Sequence, residues 1–158
     1  MVAVLKRSAR YSVEDLASVR ASGVEALLER HWREIAHYQD IELNVDWSVY
    51  EQAEALGKLR IFTARVDDEL VGYAVFFVNH NPHYKDSLQA VQDILFLAPE
   101  HRKGRIGFGL LAFADMQLAG EGVQATYHHS KAAHNIGPLL ERMGYELVDV
   151  IYAKRLDR

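Results

Sequence analysis

The chain has 158 residues, of which 49% are apolar and 25% charged, with a formal net charge of −4 and no cysteine. That is soluble globular composition, and it excludes a disulfide framework, thiolate catalysis and a cysteine-ligated metal. No apolar run is long enough to span a bilayer, the start of the chain lacks the apolar core of a secretory signal, and a mildly acidic balance gives no global attraction for nucleic acid, so a cytoplasmic domain with neither membrane nor nucleic acid as partner is expected. In chain order, residues 2–5 have the pattern of a short strand. Ser12 before Glu14 and Asp15 suits a helix N-cap. Leu16, Val19, Val24, Leu27 and Leu28 then recur at helical spacing, with Gly23 dividing two helices and the second continuing through Trp32, Ile35 and Ala36. Asp46 or Ser48 opens another helix, running through Val49, Ala53 and Leu56 to Gly57 as its C-cap. Residues 59–66 and 70–78 form a hairpin around the polar turn Asp67-Asp68-Glu69, with Ile61, Thr63 and Arg65 on one face of its first strand. Residues 79–84, with Asn79, Asn81 and Pro82, are a loop by composition. Residues 87–97 are a strand, 105–119 a helix ended by Gly120 and Gly122, 123–129 a strand, 135–143 a helix ended by Gly144, and 145–148 and 151–156 the last strands. The sum is an α/β domain, a mixed central sheet with helices on both faces.

The most informative stretch runs from Gln92 to Leu111. An apolar strand stops at Pro99, a loop with Arg102, Lys103, Gly104 and Arg105 follows, and a helix begins. Unpaired N–H groups and the dipole at a helix start attract an anion, and three cations on one turn call for one or for solvent. A P-loop is not matched, because no Gly-Lys-Ser/Thr stands at the required distance, and Gly104, Gly107 and Gly109 do not give a dinucleotide fingerprint. A solvated basic turn is the alternative to an anion site.

The same stretch resembles motif A of the GNAT acyl-CoA N-acyltransferases, where a strand leads into Q/R-x-x-G-x-G/A and a helix. Arg102 takes the first place and Gly107 the last; Arg105 stands at the middle glycine, and Gly104 lies one residue early. The element order over 59–156 is also the family's, and the whole chain, with His31-Trp32-Arg33-Glu34 and His83-Tyr84, is similar to small GNAT proteins of bacteriophage genomes. The resemblance implies a single-domain GNAT-like fold, with 1–57 over the acceptor and 59–156 carrying the acyl-CoA site. It implies acetyl-CoA as acyl donor, no metal, and direct attack by a primary amine of a small molecule or peptide. The pyrophosphate would rest on Lys103, Gly104, Arg105, Ile106 and Gly107, with Arg102 and Arg105 as planar donors. The pantetheine arm would pair with the backbone of Leu95 and Leu97, where that strand parts from 123–129, and Asn135 would touch it. Asp93 would be the base, with His83 and Tyr84 in the catalytic set; His31, Glu34, Tyr38 and His80 would form the acceptor pocket. Some relatives dimerise through their C-terminal strands, so a homodimer is expected by the same likeness.

Each assignment has a plainer counterpart in the residues. Asp93 also suits a carboxylate that holds a loop by hydrogen bonds, Asn135 a helix cap, and Trp47 and Tyr50 packing. Neighbours on a strand face opposite ways, so His128 and His129 do not chelate together, and His80-x-x-His83 has no evident supporting ligand. Many relatives carry a tyrosine in a pattern like L-Y-E-K-x-G-F as the acid for the leaving thiolate; here Leu139-Leu140-Glu141-Arg142-Met143-Gly144-Tyr145 puts Leu140 in its place. That departure keeps a second function class open, a non-catalytic GNAT-like binding or regulatory module.

Overall fold

A computed structural model describes residues 8–158. The elements are β1 (Arg10–Glu14), α1 (Leu16–Ala21), α2 (Val24–Ile35), α3 (Trp47–Ala55), β2 (Leu59–Val66), β3 (Glu69–Asn81), β4 (Tyr84–Leu97), α4 (Ile106–Gly120), β5 (Ala125–Tyr127) and α5 (Gly137–Arg142). The strands lie side by side in chain order, antiparallel from β1 to β4, with β5 added parallel to β4. A parallel neighbour needs a crossover, and α4 supplies it.

β2 and β3 are buried along nearly their whole length because both faces of the sheet are covered. Leu59, Ile61, Tyr73, Val75 and Phe96 pack with Leu16, Val19, Val24 and Leu27 of α1 and α2. Phe62, Ala64, Ala74, Phe76 and Ala90 pack on the other side with Leu110, Ala114 and Leu118 of α4. The expected mixed sheet with helices on both faces of one domain is what forms. The β2–β3 turn is Asp67-Asp68, both at positive φ (50° and 64°), the geometry that matches the twist of a two-residue hairpin and that Asp tolerates.

Several local expectations are corrected. The strand at 2–5 lies outside the described residues. Ser12 is within β1, and the cap of α1 is Asp15, whose carboxylate accepts from the Ser18 amide at 2.7 Å. The supposed loop at 79–84 is strand for most of its length: β3 runs on to Asn81, and only Pro82 and His83 make the turn, with Asn81 Oδ1 accepting from the His83 amide at 2.8 Å. β5 is shorter than 123–129, and α5 starts at Gly137, two residues late, with Pro138 in its first turn, where a missing N–H costs nothing. Neither 145–148 nor 151–156 is a strand. Their apolar pattern has the composition of one, but β5 offers an edge only three residues long, and Leu147, Val148, Ile151 and Tyr152 stay exposed. Arg155 holds this tail back on Asp40 at 3.0 Å and over the ring of Tyr38.

Candidate active site at the open half of β4

β5 pairs only with Gln89, Ala90 and Val91. From Gln92 onward β4 has β3 on one side and, among the described residues, no strand on the other, so the backbone of Leu95 and Leu97 lies along an opened edge. A bulge sits at the parting: Val75 pairs with Ile94 and Phe76 with Gln92, leaving Asp93 without a partner residue. A bulge bends a strand and re-aims a side chain. Here it exposes Asp93 and brings its Oδ2 within 2.7 Å of the Tyr50 hydroxyl on α3, which donates to it. Tyr50 is stacked on Phe77 (centroids 5.9 Å apart) and tilted against Trp47. Burial first, and then the Asp93 hydrogen bond, raise its phenol well above the ordinary tyrosine range, so it stays a donor.

On the other face, a polar chain fixes the parting itself. His128, just past β5, places Nδ1 2.6 Å from Gln92 Oε1 and Nε2 3.2 Å from the Tyr145 hydroxyl, which donates to Asp115 Oδ1 at 2.5 Å. Burial lowers His128 to about 4 and raises Asp115. These contacts tie β4, β5, α4 and the start of the tail together. Leu140 is buried at 7% exposure and packs in the core.

Beyond Leu97 the chain makes a 3-10 turn over Pro99–His101 and reaches the basic loop. Gly104 has φ +145°, a conformation other residues adopt only with strain, and a Cβ there would meet nothing. Arg105 precedes α4, and no side chain caps this helix, whereas Asp15 and Asp46 cap α1 and α3. The first helical bond is from Gly109 to Arg105 O at 2.8 Å, which leaves the amides of Ile106, Gly107 and Phe108 directed out of the helix start. A Cβ at position 107 would be in ordinary contact with Leu97, whereas Gly109 exists for packing, since a Cβ there would lie 2.2 Å from the Tyr11 hydroxyl. Arg102 is not free. Its Nε donates to Leu97 O at 2.8 Å, and its two terminal nitrogens donate to Glu34 at 2.6 and 2.8 Å. That bidentate bond, ahead of burial, holds Glu34 below the usual carboxylate range.

The remaining expected site residues do not converge on Asp93. His31 is 5% exposed, with Nδ1 3.0 Å from the Tyr73 hydroxyl and its ring stacked on Phe96; desolvation lowers it to about 4. It is a core residue beneath β4. Glu34 is spent on Arg102, and Tyr38 lies past the end of α2, engaged by the tail. His83 and Tyr84 sit at the tip of the β3–β4 hairpin, and at ~3.3 Å per residue Tyr84 is on the order of 30 Å from Asp93. His80 is nearer, at one end of a cavity of about 190 Å³ lined also by Phe77, Asn79, Gln89 and Val91. Asn135 Oδ1 accepts from the amide of Gly137 at 2.8 Å and from Ser130 Oγ at 3.0 Å, a capping arrangement. Tyr50 is the functional candidate that sequence reasoning assigned to packing; its i, i+3 spacing from Trp47 shows a shared helix face, while the aim of its hydroxyl depends on the bulge. Among the described residues, no three His, Asp or Glu side chains are grouped to hold a metal ion, and no helix is long and apolar enough to cross a membrane.

A family model described as the acetyltransferase (GNAT) domain matches residues 57–147, more than half of the chain. The chain belongs to the GNAT acetyltransferase family. No curated protein sequence matches it. Solved structures share the GNAT fold at low identity. An aminoglycoside acetyltransferase, meta-AAC0020, from an uncultured soil metagenomic sample is 11% identical with TM-score 0.70, covering 94% of this chain and 97% of that one. A ribosomal-protein-alanine N-acetyltransferase from Brucella melitensis is 16% identical with TM-score 0.68, covering 94% and 99%. A predicted acetyltransferase from Clostridium acetobutylicum, solved with acetyl-CoA, is 14% identical with TM-score 0.71, covering 94% and 97%. The GNAT match ends at 147, before most of the exposed tail.

Proposed function

We propose that this GNAT protein is an N-acetyltransferase that moves the acetyl group of acetyl-CoA to a primary amine of a small molecule or peptide. The observation that carries the proposal is the joining of two features in one run of chain: a strand whose edge is open from Gln92 to Leu97, and an uncapped helix start beside Lys103 and Arg105. The open edge suits the peptide-like arm of coenzyme A, and the amides of Ile106 and Gly107 suit its pyrophosphate. Lys103 and Arg105 supply charge. Arg102 joins them only on leaving Glu34.

The amine nitrogen attacks the thioester carbonyl carbon, a C–N bond forms, the C–S bond breaks, and the sulfur leaves as thiolate. Asp93, at the parting of β4 and β5, takes the proton lost by the nitrogen. The thiolate takes its proton from water, because Leu140 has none to give. Isothermal titration with acetyl-CoA and a thiol-release assay over a panel of amines test this. Binding in the micromolar range with release is expected; no heat at millimolar acetyl-CoA sinks the proposal.

A second function is favoured by Leu140 and by the Arg102–Glu34 pair: a GNAT domain that binds coenzyme A and does no chemistry. Acetyl-CoA binding without thiol release from any amine identifies it. The exposed apolar tail also supports a homodimer, which sedimentation velocity of the wild type against a chain ending at Glu146 resolves; equal mass for both removes the tail from assembly.

A further inference from the structure

The Tyr50–Asp93 pair stands at a place where three independent features meet. The first is the bulge, which leaves Asp93 outside the β3–β4 pairing and exposed. The second is the fixed ring of Tyr50. It is held between Trp47 and Phe77, and Trp47 in turn lies under the guanidinium of Arg20, 4.4 Å from its ring centroid. A ring stacked on Phe77 and tilted against Trp47 loses little freedom when its hydroxyl makes a bond, so the bond is strongly directional. The third is the cavity of about 190 Å³. Phe77, against which Tyr50 stacks, forms its wall, and Val91, two residues before Asp93 on the same strand, lines it. Val91 is the cross-strand partner of Phe77, and paired residues share a face. The cavity therefore opens on the α3 face of the sheet, the face from which Tyr50 reaches Asp93.

We infer that Tyr50 is a positioning residue for acyl transfer: it fixes one carboxylate oxygen of Asp93, so that the other meets an amine entering from the cavity lined by Phe77, Asn79, Gln89 and Val91. This deepens the acetyltransferase proposal and rests on it. Besides Phe77 and Val91 the lining carries Asn79, His80, Asn81 and Gln89, with the Asn81 amide donating to Gln89 Oε1 at 2.9 Å. A site of this size admits the amine-bearing arm of a molecule and leaves the rest outside.

The balance of the step is unchanged by Tyr50. Its hydroxyl keeps its own proton and its bond to Oδ2 throughout, while Oδ1 accepts the proton from nitrogen. What Tyr50 contributes is direction: a carboxylate free to rotate offers either oxygen at any angle, and a misaimed base loses rate without losing affinity for either substrate.

The test uses the full-length protein, acetyl-CoA, and glucosamine and spermidine as acceptor probes in thiol-release kinetics. Tyr50→Phe keeps the ring and removes the hydroxyl. Its kcat with glucosamine is expected to fall about tenfold, the size of a lost hydrogen bond to a charged group, with KM for acetyl-CoA and for glucosamine unchanged. In an Asp93→Asn background the same change has no further effect, because there is no base left to aim. A merely structural role for Tyr50 costs the same in both backgrounds and lowers the melting temperature. Val91→Trp, which fills the cavity, is expected to raise KM for glucosamine at least fivefold while leaving acetyl-CoA binding intact. Wild-type kcat in Tyr50→Phe, or an equal loss in both backgrounds, overturns the inference and leaves the acetyltransferase proposal standing. Absence of release from the wild type with either probe and any amine of the panel overturns both proposals together.

Discussion

β4 is two strands in one. Its first half ends in Gln89, Ala90 and Val91, which are flanked on both sides, by β3 and by β5. Its second half, from Gln92, has a bulge at its start, β3 on one side and an open edge on the other. The sequence of the second half is the more apolar, yet among the described residues no strand pairs with its outer edge. The difference teaches that an opening in a sheet is made by what stops pairing, here the three-residue length of β5 and the His128–Gln92 contact that pins its end, rather than by any polar residue in the opened strand. The hairpin end of β4, rich in His, Asn and Tyr, looks chemical and has nothing to converge on.

Replacing the base should separate the halves most strongly. Asp93→Asn is expected to lower kcat about 10²–10⁴-fold, the usual contribution of a positioned acid or base, with acetyl-CoA affinity kept. A loss of binding in place of kcat, measured by titration calorimetry, would mean that the bulge serves the fold and not the reaction.

The opened half also rests on a buried imidazole. His31 under Phe96 is lowered to about 4 from 6.5, so the unfolded chain takes up its proton first as pH falls. Stability is full above about pH 6.5 and is lost as pH drops toward 4; complete protonation of this one group corresponds to about 3 kcal/mol. Thermal melts of His31→Gln should therefore vary less between pH 7 and pH 5 than those of the wild type. Parallel curves would show that the acid sensitivity lies elsewhere, with His128 the next group to change.

At the helix start the effects are smaller. Lys103→Ala and Arg105→Ala should each weaken acetyl-CoA about tenfold at low salt, and less as salt screens them. Dephospho fragments that lack the pyrophosphate should be unaffected; equal losses for both ligands would move the anion elsewhere. Glu34→Gln acts in the opposite direction. It loosens a half-exposed ion pair worth ~1 kcal/mol or less and frees Arg102, so acetyl-CoA should bind about two- to fivefold tighter. Weaker binding would show that the ion pair builds the site instead of competing with it.

How much of this was legible follows from where the determinants lie in the chain. The strand, basic loop and helix from Gln92 to Leu111 are contiguous, so charge, glycine and periodicity report them directly, and the two-sided hydrophobic runs of β2 and β3 give the sheet. What was hidden depends on pairing. Asp93 was visible as a carboxylate in an apolar strand, but the bulge that exposes it is a register shift against β3, and no residue near it announces one. Tyr50 meets Asp93 across 43 positions. Arg102 was visible as a cation in the loop, but its pairing was not, because its partner Glu34 lies 68 residues away. The tail failed as strand because a propensity needs an edge to pair with.

The smallest expected effect tests the comparison most severely, because it falls on the residues that look most like a catalytic set. His83 and Tyr84 are side by side, polar, and close in sequence to His80. Tyr84 is exposed, and the His83 amide is held by Asn81 in the turn. Three residues of β4, 85–87, are left unpaired where the register jumps from His80–Leu88 to Asn81–Tyr84, so the tip is joined to the sheet by its weakest stretch. A catalytic group must be held to within a fraction of an ångström by its surroundings, and the described residues leave this tip exposed. The double change His83→Ala, Tyr84→Ala is accordingly expected to leave kcat, KM for acetyl-CoA and melting temperature within about twofold or a few degrees of the wild type. A tenfold fall in kcat would place the acceptor at the hairpin, and the opened half of β4 would then bind the donor without holding the chemistry.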